Sequence, residues 1–540
     1  MAPCGKPGAM SEAVTLVERL CEIARLTPDA IAISFRATSI TYADLARLVQ
    51  GASARIGRTG AVAGDVVVVS GVSTSEALVC YIAAQAAGCI AAFSYHHATS
   101  GSLAAACKLA NARLLVAGSL PPGFEAPCSV VAPDCLVSEP GPGLSGKAGA
   151  PGGSGDLRPA RGNEELPPGE GVPGTKEKPP EKEAPAEILF TTGTTGAPKA
   201  VVLSRRAVRA IALNTVEGVG IQPDDRVLVP LPINHSLALR VIRAVLWQGA
   251  TVVLQSGFSA PEETERNICR RACTGMVTVP AALEMDRDRF GGRFAEVYGK
   301  LRYLEVGAGP LPVSARSRLI AELPETRIIS TWGSSETGGV LFAPFSQIDP
   351  ASEQFGASGL PVSGAQVVTV DSAGNQFSAT AENPGRLALR GDMVMSMYLG
   401  QPELTTSVFE GDWYVTNDLA YVDAAGFVHI VGRADDMINV GGEKVFPAEI
   451  EAAMSACPGV RECACVGVED PDGVRGQVPV VFVIADGAFS EDACNELLQQ
   501  RLEGYKMPRE FVRIEELPRN RMMKLDRSAL RDLWNARIGS

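Results

Sequence analysis

The chain has 540 residues, 46% of them hydrophobic and 20% charged, with a formal net charge of −12 at pH 7. This length allows several domains and a large buried core, and the composition is ordinary for a globular protein. The acidic net charge argues against a nucleic-acid partner, which needs a concentrated basic surface, and against adsorption to anionic membranes.

The N-terminal sequence and the cysteines indicate the cellular compartment. The start, MAPCGKPGAMSEA, lacks the apolar core of a secretory signal. The thirteen cysteines are scattered, and no CxxC-like pair has the second pair that a zinc site needs. We therefore expect free thiols, no structural metal site and a reduced, cytoplasmic protein.

Helical and strand-like runs alternate from residue 11 to residue 136, which predicts an α/β layered domain. The most apolar run is residues 77–93. Ser73 and Glu76 form a capping-box pattern before this run, and Gly88 divides it into two parts. Each part is too short to cross a bilayer, so we predict a buried helix followed by a strand, without membrane insertion.

Residues 138–187 are dominated by proline, glycine, glutamate and lysine. Such a segment cannot bury enough apolar surface to offset its ordering entropy, and we predict a flexible insertion. Regular α/β patterning returns at Ile188 and continues to about His429. A smaller unit of strands and helices follows, as in ECACVGV and EDACNELLQQRL.

The stretch FTTGTTGAPKAVVLS, residues 190–204, places a glycine- and threonine-rich loop between two strand-like runs, and Ser204 is positioned to cap the next helix. Gly193 and Gly196 let backbone amides approach an anion, and Lys199 adds positive charge. Hydroxyl groups come from Thr191, Thr192, Thr194 and Thr195. The pattern is not that of a Walker A loop. By itself it is compatible with polyphosphate binding or with a simple hairpin.

Three further stretches accompany this loop in a fixed order: STWGSSETGG at 330–339, the long run at 413–451 that contains TNDLAYVD and NVGGEKVFP, and LPRNRMMKLDR at 517–527. Together they resemble the motifs of the adenylate-forming superfamily, which includes acyl-CoA synthetases, adenylation domains of peptide synthetases and luciferases. The resemblance covers nearly the whole chain from about residue 11. It implies a large layered N-terminal domain with several sheets, residues 11–434, and a small mobile α+β C-terminal domain, residues 435–540.

The resemblance implies a reaction in two halves. A carboxylate attacks the α-phosphate of ATP to give an acyl-adenylate and pyrophosphate, and a thiol then displaces AMP to form a thioester. Lys524, six residues after Pro518, corresponds to the family's catalytic lysine, which would bridge the carboxylate and the α-phosphate. Glu336 would hold Mg²⁺, and Lys199 and Thr192 would assist at the phosphates.

The ATP site implied by the resemblance includes the loop residues 191–196 and Lys199. Asp418 would hold the ribose hydroxyls with support from Arg433, although Asn417 replaces the glycine that usually precedes this aspartate. The adenine would lie against Gly307, Ala308 and Gly309 and under Trp332, which replaces the family's more usual tyrosine. The motif around Glu336 adds Gly333 and Ser335.

The acyl-site residues implied by the resemblance are His235, Ser236, Gly307, Thr337 and Gly338. Amino-acid-activating domains usually carry an aspartate near Ser236 to pair with the substrate ammonium group, and INHSLALR contains none. A buried cation without a partner would be costly. The predicted substrate is therefore a small carboxylic acid without an α-ammonium group.

For the second half-reaction the resemblance places a hinge at Asp435, and Gly441 and Gly442 would leave room for a pantetheine arm. The two glycines also fit an ordinary hairpin turn between strands, with Pro447 starting the next helix, and the two interpretations are compatible. The predicted function is that of an acyl- or aryl-CoA ligase using ATP, Mg²⁺ and coenzyme A. A stand-alone enzyme that loads a carrier-protein phosphopantetheine is an alternative. A non-catalytic acyl- or nucleotide-binding homologue is a third possibility, against which the presence of all the motifs argues.

Overall fold

The computed structural model describes residues 15–70, 74–94, 98–137, 181–192, 198–258, 260–519 and 525–538, without the side chains of Thr192 and Pro198. Its α-helices are α1 (Leu16–Leu26), α2 (Tyr42–Arg58), α3 (Ser75–Ala86), α4 (Ser100–Leu109), α5 (Pro133–Val137), α6 (Arg205–Val219), α7 (Ser236–Gln248), α8 (Pro261–Glu265), α9 (Pro280–Phe290), α10 (Phe294–Tyr298), α11 (Val313–Glu322), α12 (Pro402–Ser407), α13 (Pro447–Met454), α14 (Glu491–Gln499) and α15 (Arg527–Ile538).

The strands are β1 (Ile31–Phe35), β2 (Thr38–Thr41), β3 (Val66–Ser70), β4 (Ile90–Phe93), β5 (Ala112–Ala117), β6 (Ser129–Val131), β7 (Pro185–Thr192), β8 (Pro198–Ser204), β9 (Arg226–Val229), β10 (Thr251–Leu254), β11 (Gly275–Thr278), β12 (Tyr303–Gly307), β13 (Arg327–Ser334), β14 (Gly338–Ala343), β15 (Leu360–Pro361), β16 (Gln366–Val370), β17 (Gly385–Arg390), β18 (Met397–Tyr398), β19 (Phe409–Glu410), β20 (Trp413–Val422), β21 (Val428–Arg433), β22 (Ile438–Val440), β23 (Glu443–Val445), β24 (Val460–Glu469), β25 (Gln477–Ala485) and β26 (Glu510–Arg513).

Two large sheets and the helices between them form the core of the N-terminal part. One sheet has the order β18-β8-β7-β4-β3-β5-β6, and the other has the order β15-β14-β13-β12-β11-β9-β10-β1-β2. Helix α6 contacts strands of both sheets, and α7 packs beside it. Every residue of α7 from Leu237 to Trp247 is buried, as expected of a helix covered on all sides. The predicted layered α/β architecture is confirmed.

A third sheet is built from strands that lie between residues 366 and 433 in the sequence. Its strands follow the order β16-β17-β20-β19, and β21 pairs with β20. The β20–β21 pairing places Asp418 opposite Arg433. This sheet therefore holds two of the residues predicted for the ATP site.

The apolar run at residues 77–93 forms α3 and then β4, as predicted. Its core residues are buried, and Gly88, between the two elements, has a φ of +77°. The expected cap at Ser73 is wrong. Thr74 is the N-cap, because its side chain accepts a hydrogen bond from the Ala77 amide at 3.1 Å, and Ser73 lies outside the described residues. None of the helices in the described ranges combines the length and hydropathy needed to span a bilayer.

The predicted end of the insertion at residue 187 is placed too late. Strand β7 begins at Pro185, and Glu187 is fully buried within it. The Arg243 side chain donates to Glu187 at 2.6 Å, which explains how a charged residue can enter the core. Most of the predicted insertion, residues 138–180, lies outside the described residues.

The C-terminal part has a small α+β architecture, as expected. β24 and β25 pair antiparallel, and β26 joins β25 in parallel. Helices α13 and α14 supply residues to the hydrophobic cluster on one face, and α15 places Leu530 and Trp534 in the cluster on the other. A separate hairpin, β22–β23, stands next to the start of α13, which begins at Pro447.

Candidate active site

The predicted phosphate loop connects two antiparallel strands. β7 and β8 pair up to the loop, where Thr191 lies opposite Lys199. The prediction of a strand–loop–strand unit is therefore confirmed, and Ser204 caps α6 by accepting a hydrogen bond from the Ala207 amide at 3.1 Å. The described residues do not include Gly193, Thr194, Thr195, Gly196 or the side chain of Thr192.

Glu336 lies in the tight connection between β13 and β14. Its amide donates to Ser334 Oγ at 3.2 Å, and its carbonyl accepts from the Met395 amide at 2.8 Å. Gly338 has a φ of +65°, and a Cβ there would lie 2.6 Å from Ile211 Cγ2, so the turn requires glycine. The backbone of this turn is fixed, while the Glu336 side chain remains half-buried.

Tyr398 connects Glu336 with Lys199. β18 pairs with β8 and places Tyr398 opposite Val201. The Tyr398 hydroxyl donates to Glu336 Oε1 at 2.8 Å, and Lys199 Nζ lies 5.3 Å from the centroid of the Tyr398 ring. Burial, followed by the negative charge of Glu336, raises the pKa of Tyr398, so its hydroxyl is protonated and can donate.

Glu336 fits the predicted role of a magnesium ligand. Mg²⁺ is usually held by one or two carboxylates together with substrate phosphates rather than by a cage of protein ligands. Within the described ranges, no group of three or more His, Cys, Asp or Glu side chains could enclose a metal ion. With Oε1 bound to Tyr398, the half-buried Glu336 carboxylate presents a second hard oxygen, which suits a metal that also binds phosphate.

The predicted ribose site contains a chain of three charged groups. Arg433 donates to Asp418 Oδ1 at 3.3 Å and to both carboxylate oxygens of Asp435 at 2.9 Å. Burial lowers the pKa of Arg433, but the hydrogen bonds to Asp435 and the charges of Asp418, Asp435 and Asp436 outweigh this and raise it. Asn417, the departure from the family pattern, accepts a backbone hydrogen bond from Ala434, so its backbone supports the same segment.

The residues predicted to contact adenine lie at the ends of adjacent parallel strands. Gly307 ends β12 opposite Thr331 of β13, and Trp332 follows Thr331. Trp332 is half-buried and packs against the main core cluster. Ala308 has a φ of +65°, an uncommon conformation for a residue with a Cβ. Gly309 and Gly333 are both exposed.

Helix α7 begins at the predicted acyl site. His235 is its N-cap, with Nδ1 accepting a hydrogen bond from the Leu237 amide at 3.1 Å. Ser236 is the first residue of the helix and is half-buried. A Cβ on Gly307 would lie 3.2 Å from a Leu237 methyl group, so glycine keeps this strand close to the helix. His235 and Gly307 therefore approach the same end of α7.

A buried ion pair lies behind this end of α7. Arg240 donates to Glu305 Oε1 at 2.5 Å and to Thr215 Oγ1 at 3.2 Å, and the Thr331 hydroxyl donates to the same Glu305 oxygen at 2.8 Å. Both charged side chains are almost fully buried. A Cβ on Gly339 would lie 2.7 Å from the Arg240 guanidinium, so the glycine next to the predicted acyl-site residue Gly338 accommodates this arginine.

The residues predicted to line the pantetheine path form the turn of the β22–β23 hairpin. Gly441 and Gly442 have φ values of +62° and +100°, which glycine adopts without steric cost. A Cβ at either position would meet no other atom within 4 Å. The Gly442 amide donates to Asn439 Oδ1 at 2.9 Å, and the Gly441 amide donates to the Arg475 carbonyl.

The structure thus brings together Lys199 and Glu336, and joins Asp418 to the predicted hinge residue Asp435 through Arg433. Lys524 lies outside the described residues, as do the loop residues named above. Sequence reasoning missed Tyr398 and its hydrogen-bond partner Tyr414. The stretch MSMYLG carries no pattern that separates a site tyrosine from a core aromatic residue.

Comparison with known proteins adds two family matches. The profile described as AMP-binding enzyme matches residues 20–399, and the profile described as AMP-binding enzyme C-terminal domain matches residues 449–524. Among curated proteins, the 2-succinylbenzoate–CoA ligase of Bacillus licheniformis is 31% identical over 64% of this chain and 69% of its own length. The sulfoacetate–CoA ligase of Cupriavidus necator is 35% identical over 65% of this chain and 68% of its own length.

Solved structures show the same fold. ATP-bound MatB from Rhodopseudomonas palustris is 24% identical, with a TM-score of 0.79 and coverage of 96% of this chain and 99% of that chain. The o-succinylbenzoate CoA synthetase from Bacillus subtilis, solved with its acyl-adenylate intermediate, is 23% identical, with a TM-score of 0.77 and coverage of 95% and 98%.

Proposed function

Because this chain belongs to the AMP-binding enzyme family, we propose that it activates a small carboxylic acid as an acyl-adenylate and transfers the acyl group to coenzyme A. AMP and pyrophosphate are the other products. The CoA ligases among its curated relatives support this assignment. The observation that carries the proposal is the arrangement of Lys199, Tyr398 and Glu336 beside the phosphate loop, with Asp418 and Arg433 on a neighbouring sheet.

In the first half-reaction, the chain must neutralise two anions that approach each other. Lys199 would contact the outer phosphates of ATP, and Glu336 would hold Mg²⁺, which neutralises phosphate charge when it is bound. Asp418 would accept hydrogen bonds from the ribose hydroxyls. Lys524 would bridge the attacking carboxylate and the α-phosphate, the role that its position after Pro518 implies.

The buried charges near the acyl site favour an acid without an α-ammonium group. The carboxylate of Glu305 already accepts hydrogen bonds from Arg240 and Thr331. Helix α7 adds two buried arginines and no carboxylate. A substrate ammonium group would therefore lose its water without gaining a partner, at an energetic cost.

In the second half-reaction, the C-terminal part would rotate about Asp435 and bring the Gly441–Gly442 turn to the acyl-adenylate. The open space beside both glycines suits a slender pantetheine arm. A carrier-protein phosphopantetheine ends in the same arm and is the second candidate acceptor. The cysteines in the described residues are free thiols, in keeping with a cytoplasmic enzyme.

The test is exchange of labelled pyrophosphate into ATP, with a panel of aliphatic, aromatic, dicarboxylic and amino acids and without a thiol. We expect exchange with acids that lack an α-ammonium group and none with amino acids. Replacement of Lys524 with alanine should abolish this exchange. If ATP binds but no acid supports exchange, the chain is a binding protein and the proposal is wrong.

The acceptor is identified in a second experiment with the active acid. Coenzyme A and a holo carrier protein are supplied separately, and the thioester is detected by mass spectrometry. The proposal expects the CoA thioester. A thioester on the carrier protein alone would establish the alternative.

A further inference from the structure

Tyr398 occupies a position that no sequence motif assigned. It lies on the edge strand β18, beside the strand that carries Lys199, and its hydroxyl group reaches Glu336, 62 residues away in the sequence. Tyr414 of β20 also hydrogen-bonds to Tyr398. One side chain therefore touches elements that carry the predicted phosphate, metal and ribose contacts.

The hydrogen bond from Tyr398 determines how the Glu336 carboxylate is oriented. The backbone of the β13–β14 turn is already fixed, but the terminal torsion of a glutamate side chain is broad. A hydrogen bond to Oε1 selects one rotation of the carboxylate and directs Oε2 away from Tyr398. Mg²⁺ requires near-ideal octahedral geometry, so a fixed carboxylate binds it better than a rotating one.

The ring of Tyr398 also contacts the predicted phosphate-binding lysine. Lys199 Nζ lies over the ring at 5.3 Å from its centroid, where a cation is attracted to the aromatic face. In the described part of the chain, neither Lys199 nor Glu336 forms an ion pair. A direct Lys199–Glu336 pair would neutralise both groups, and without one the lysine remains available for phosphate and the carboxylate for the metal.

We propose that Tyr398 is a positioning residue that orients Glu336 for Mg²⁺, so that ATP binds together with its metal. This inference rests on the proposed function, because it assigns Glu336 to the metal. It adds a residue that acts through Glu336 rather than on the substrate.

The test compares Tyr398→Phe with a matched control, Tyr421→Phe. The Tyr421 hydroxyl donates to Glu353 at 2.9 Å, so the control removes a similar tyrosine–glutamate hydrogen bond outside the site. The full-length proteins are titrated by calorimetry with ATP plus excess Mg²⁺ and with ATP plus EDTA, without acid. Melting curves of the free proteins verify folding.

We expect Tyr398→Phe to weaken binding of MgATP about tenfold, equivalent to ~1.4 kcal/mol, and to change binding of metal-free ATP less than twofold. Tyr421→Phe should change neither the affinity for MgATP nor the affinity for metal-free ATP. Glu336→Gln should remove the preference for MgATP, and adding Tyr398→Phe to it should have no further effect. Tyr414→Phe, which removes the hydroxyl that supports Tyr398, should give a smaller change of the same kind.

If Tyr398→Phe weakened the binding of ATP equally with and without Mg²⁺, Tyr398 would contribute only to packing or to the nucleotide site. This result would overturn the inference. No change in either titration would also overturn it. The proposed function is tested by a different measurement, the pyrophosphate exchange. If the wild type binds MgATP but no acid supports pyrophosphate exchange, the enzyme assignment is wrong while the titrations still decide the role of Tyr398.

Discussion

Asp418 is held by its neighbours before any ligand binds. Its amide donates to Thr416 Oγ1 at 3.1 Å, and Arg433 donates to its Oδ1 at 3.3 Å. Arg433 also binds both oxygens of Asp435. The arginine therefore aligns the predicted ribose carboxylate and connects it with the predicted hinge, so a change at Asp418 should affect nucleotide binding first.

Replacement of Asp418 with asparagine should raise the KM for ATP about tenfold, or ~1.4 kcal/mol, because hydrogen bonds to a charged acceptor exceed those to a neutral one. The measurement is pyrophosphate exchange at varied ATP. Asp371→Asn, in a turn of the same part of the chain, is the control and should leave the KM unchanged. An unaltered KM in Asp418→Asn would remove this residue from the ATP site.

At the scale of elements, helix α7 is fixed between the two large sheets by two buried ion pairs. Arg240 pairs with Glu305 of β12, and Arg243 pairs with Glu187 of β7. Burial raises the pKa of Glu187, and the nearby charge of Arg243 opposes this rise. Because both pairs lie deep in the core, each charge depends on its partner to remain buried.

Arg243→Met should lower the free energy of unfolding by about 3–5 kcal/mol, since it leaves Glu187 buried without a counter-charge. The double replacement Arg243→Met/Glu187→Gln should recover most of this loss. Urea denaturation measures the free energy of unfolding of the single and the double variant. The exposed pair of Arg47 and Asp44 provides the control, as Arg47→Met should cost less than ~0.5 kcal/mol. A loss of only ~0.5 kcal/mol in Arg243→Met would contradict the dependence of Glu187 on its counter-charge.

The turn between β20 and β21 contains a carboxylate with four hydrogen-bond partners. Asp423 accepts from the amides of Ala425 and Phe427 and from the Gln354 side chain, and its other contact is the ring of His429 at 3.1 Å. Burial favours protonation, but these hydrogen bonds outweigh it and hold the pKa of Asp423 below its ordinary value. The ionised form is therefore stabilised by folding.

A lowered pKa contributes stability above the ordinary aspartate value of about 3.9, and this contribution is lost as the pH falls through the folded-state pKa. Asp423→Asn should therefore lower the melting temperature at pH 7 by about 2–4 °C. The difference from the wild type should shrink progressively below about pH 4. Melting curves between pH 3 and pH 7 measure this, and a difference independent of pH would refute the electrostatic explanation.

At the scale of the whole molecule, the two half-reactions should depend on different parts of the chain. The N-terminal sheets carry Lys199, Glu336 and Asp418, whereas the Gly441–Gly442 turn belongs to the hairpin that precedes the C-terminal sheet. A change in the turn should therefore affect thioester formation without affecting adenylation.

Gly441→Leu should abolish CoA thioester formation and leave pyrophosphate exchange within about twofold. The side chain would enter open space, so the fold should tolerate it at a cost of ~1–2 kcal/mol for the left-handed backbone. Gly473→Leu is the control, because Gly473 also has a positive φ of +68° and open space around it. If Gly441→Leu lost both half-reactions equally, the assignment of this turn to the pantetheine path would be contradicted.

The sequence alone determined the local units of this protein. The β7–β8 connection, the Ser204 cap, the Gly441–Gly442 hairpin and the start of α13 at Pro447 follow from residues close in the chain. The order of the motifs also identified the family. These features depend on backbone preferences and short-range hydrogen bonds, which neighbouring residues encode directly.

Only the tertiary structure decided which distant side chains meet. Glu187 has the charge typical of the segment before it, yet it is buried because Arg243 lies 56 residues away in the sequence and adjacent in space. Tyr398 reaches Glu336 because β18 joins the edge of β8. Such contacts follow from the order in which strands assemble into sheets, and local periodicity carries no information about that order.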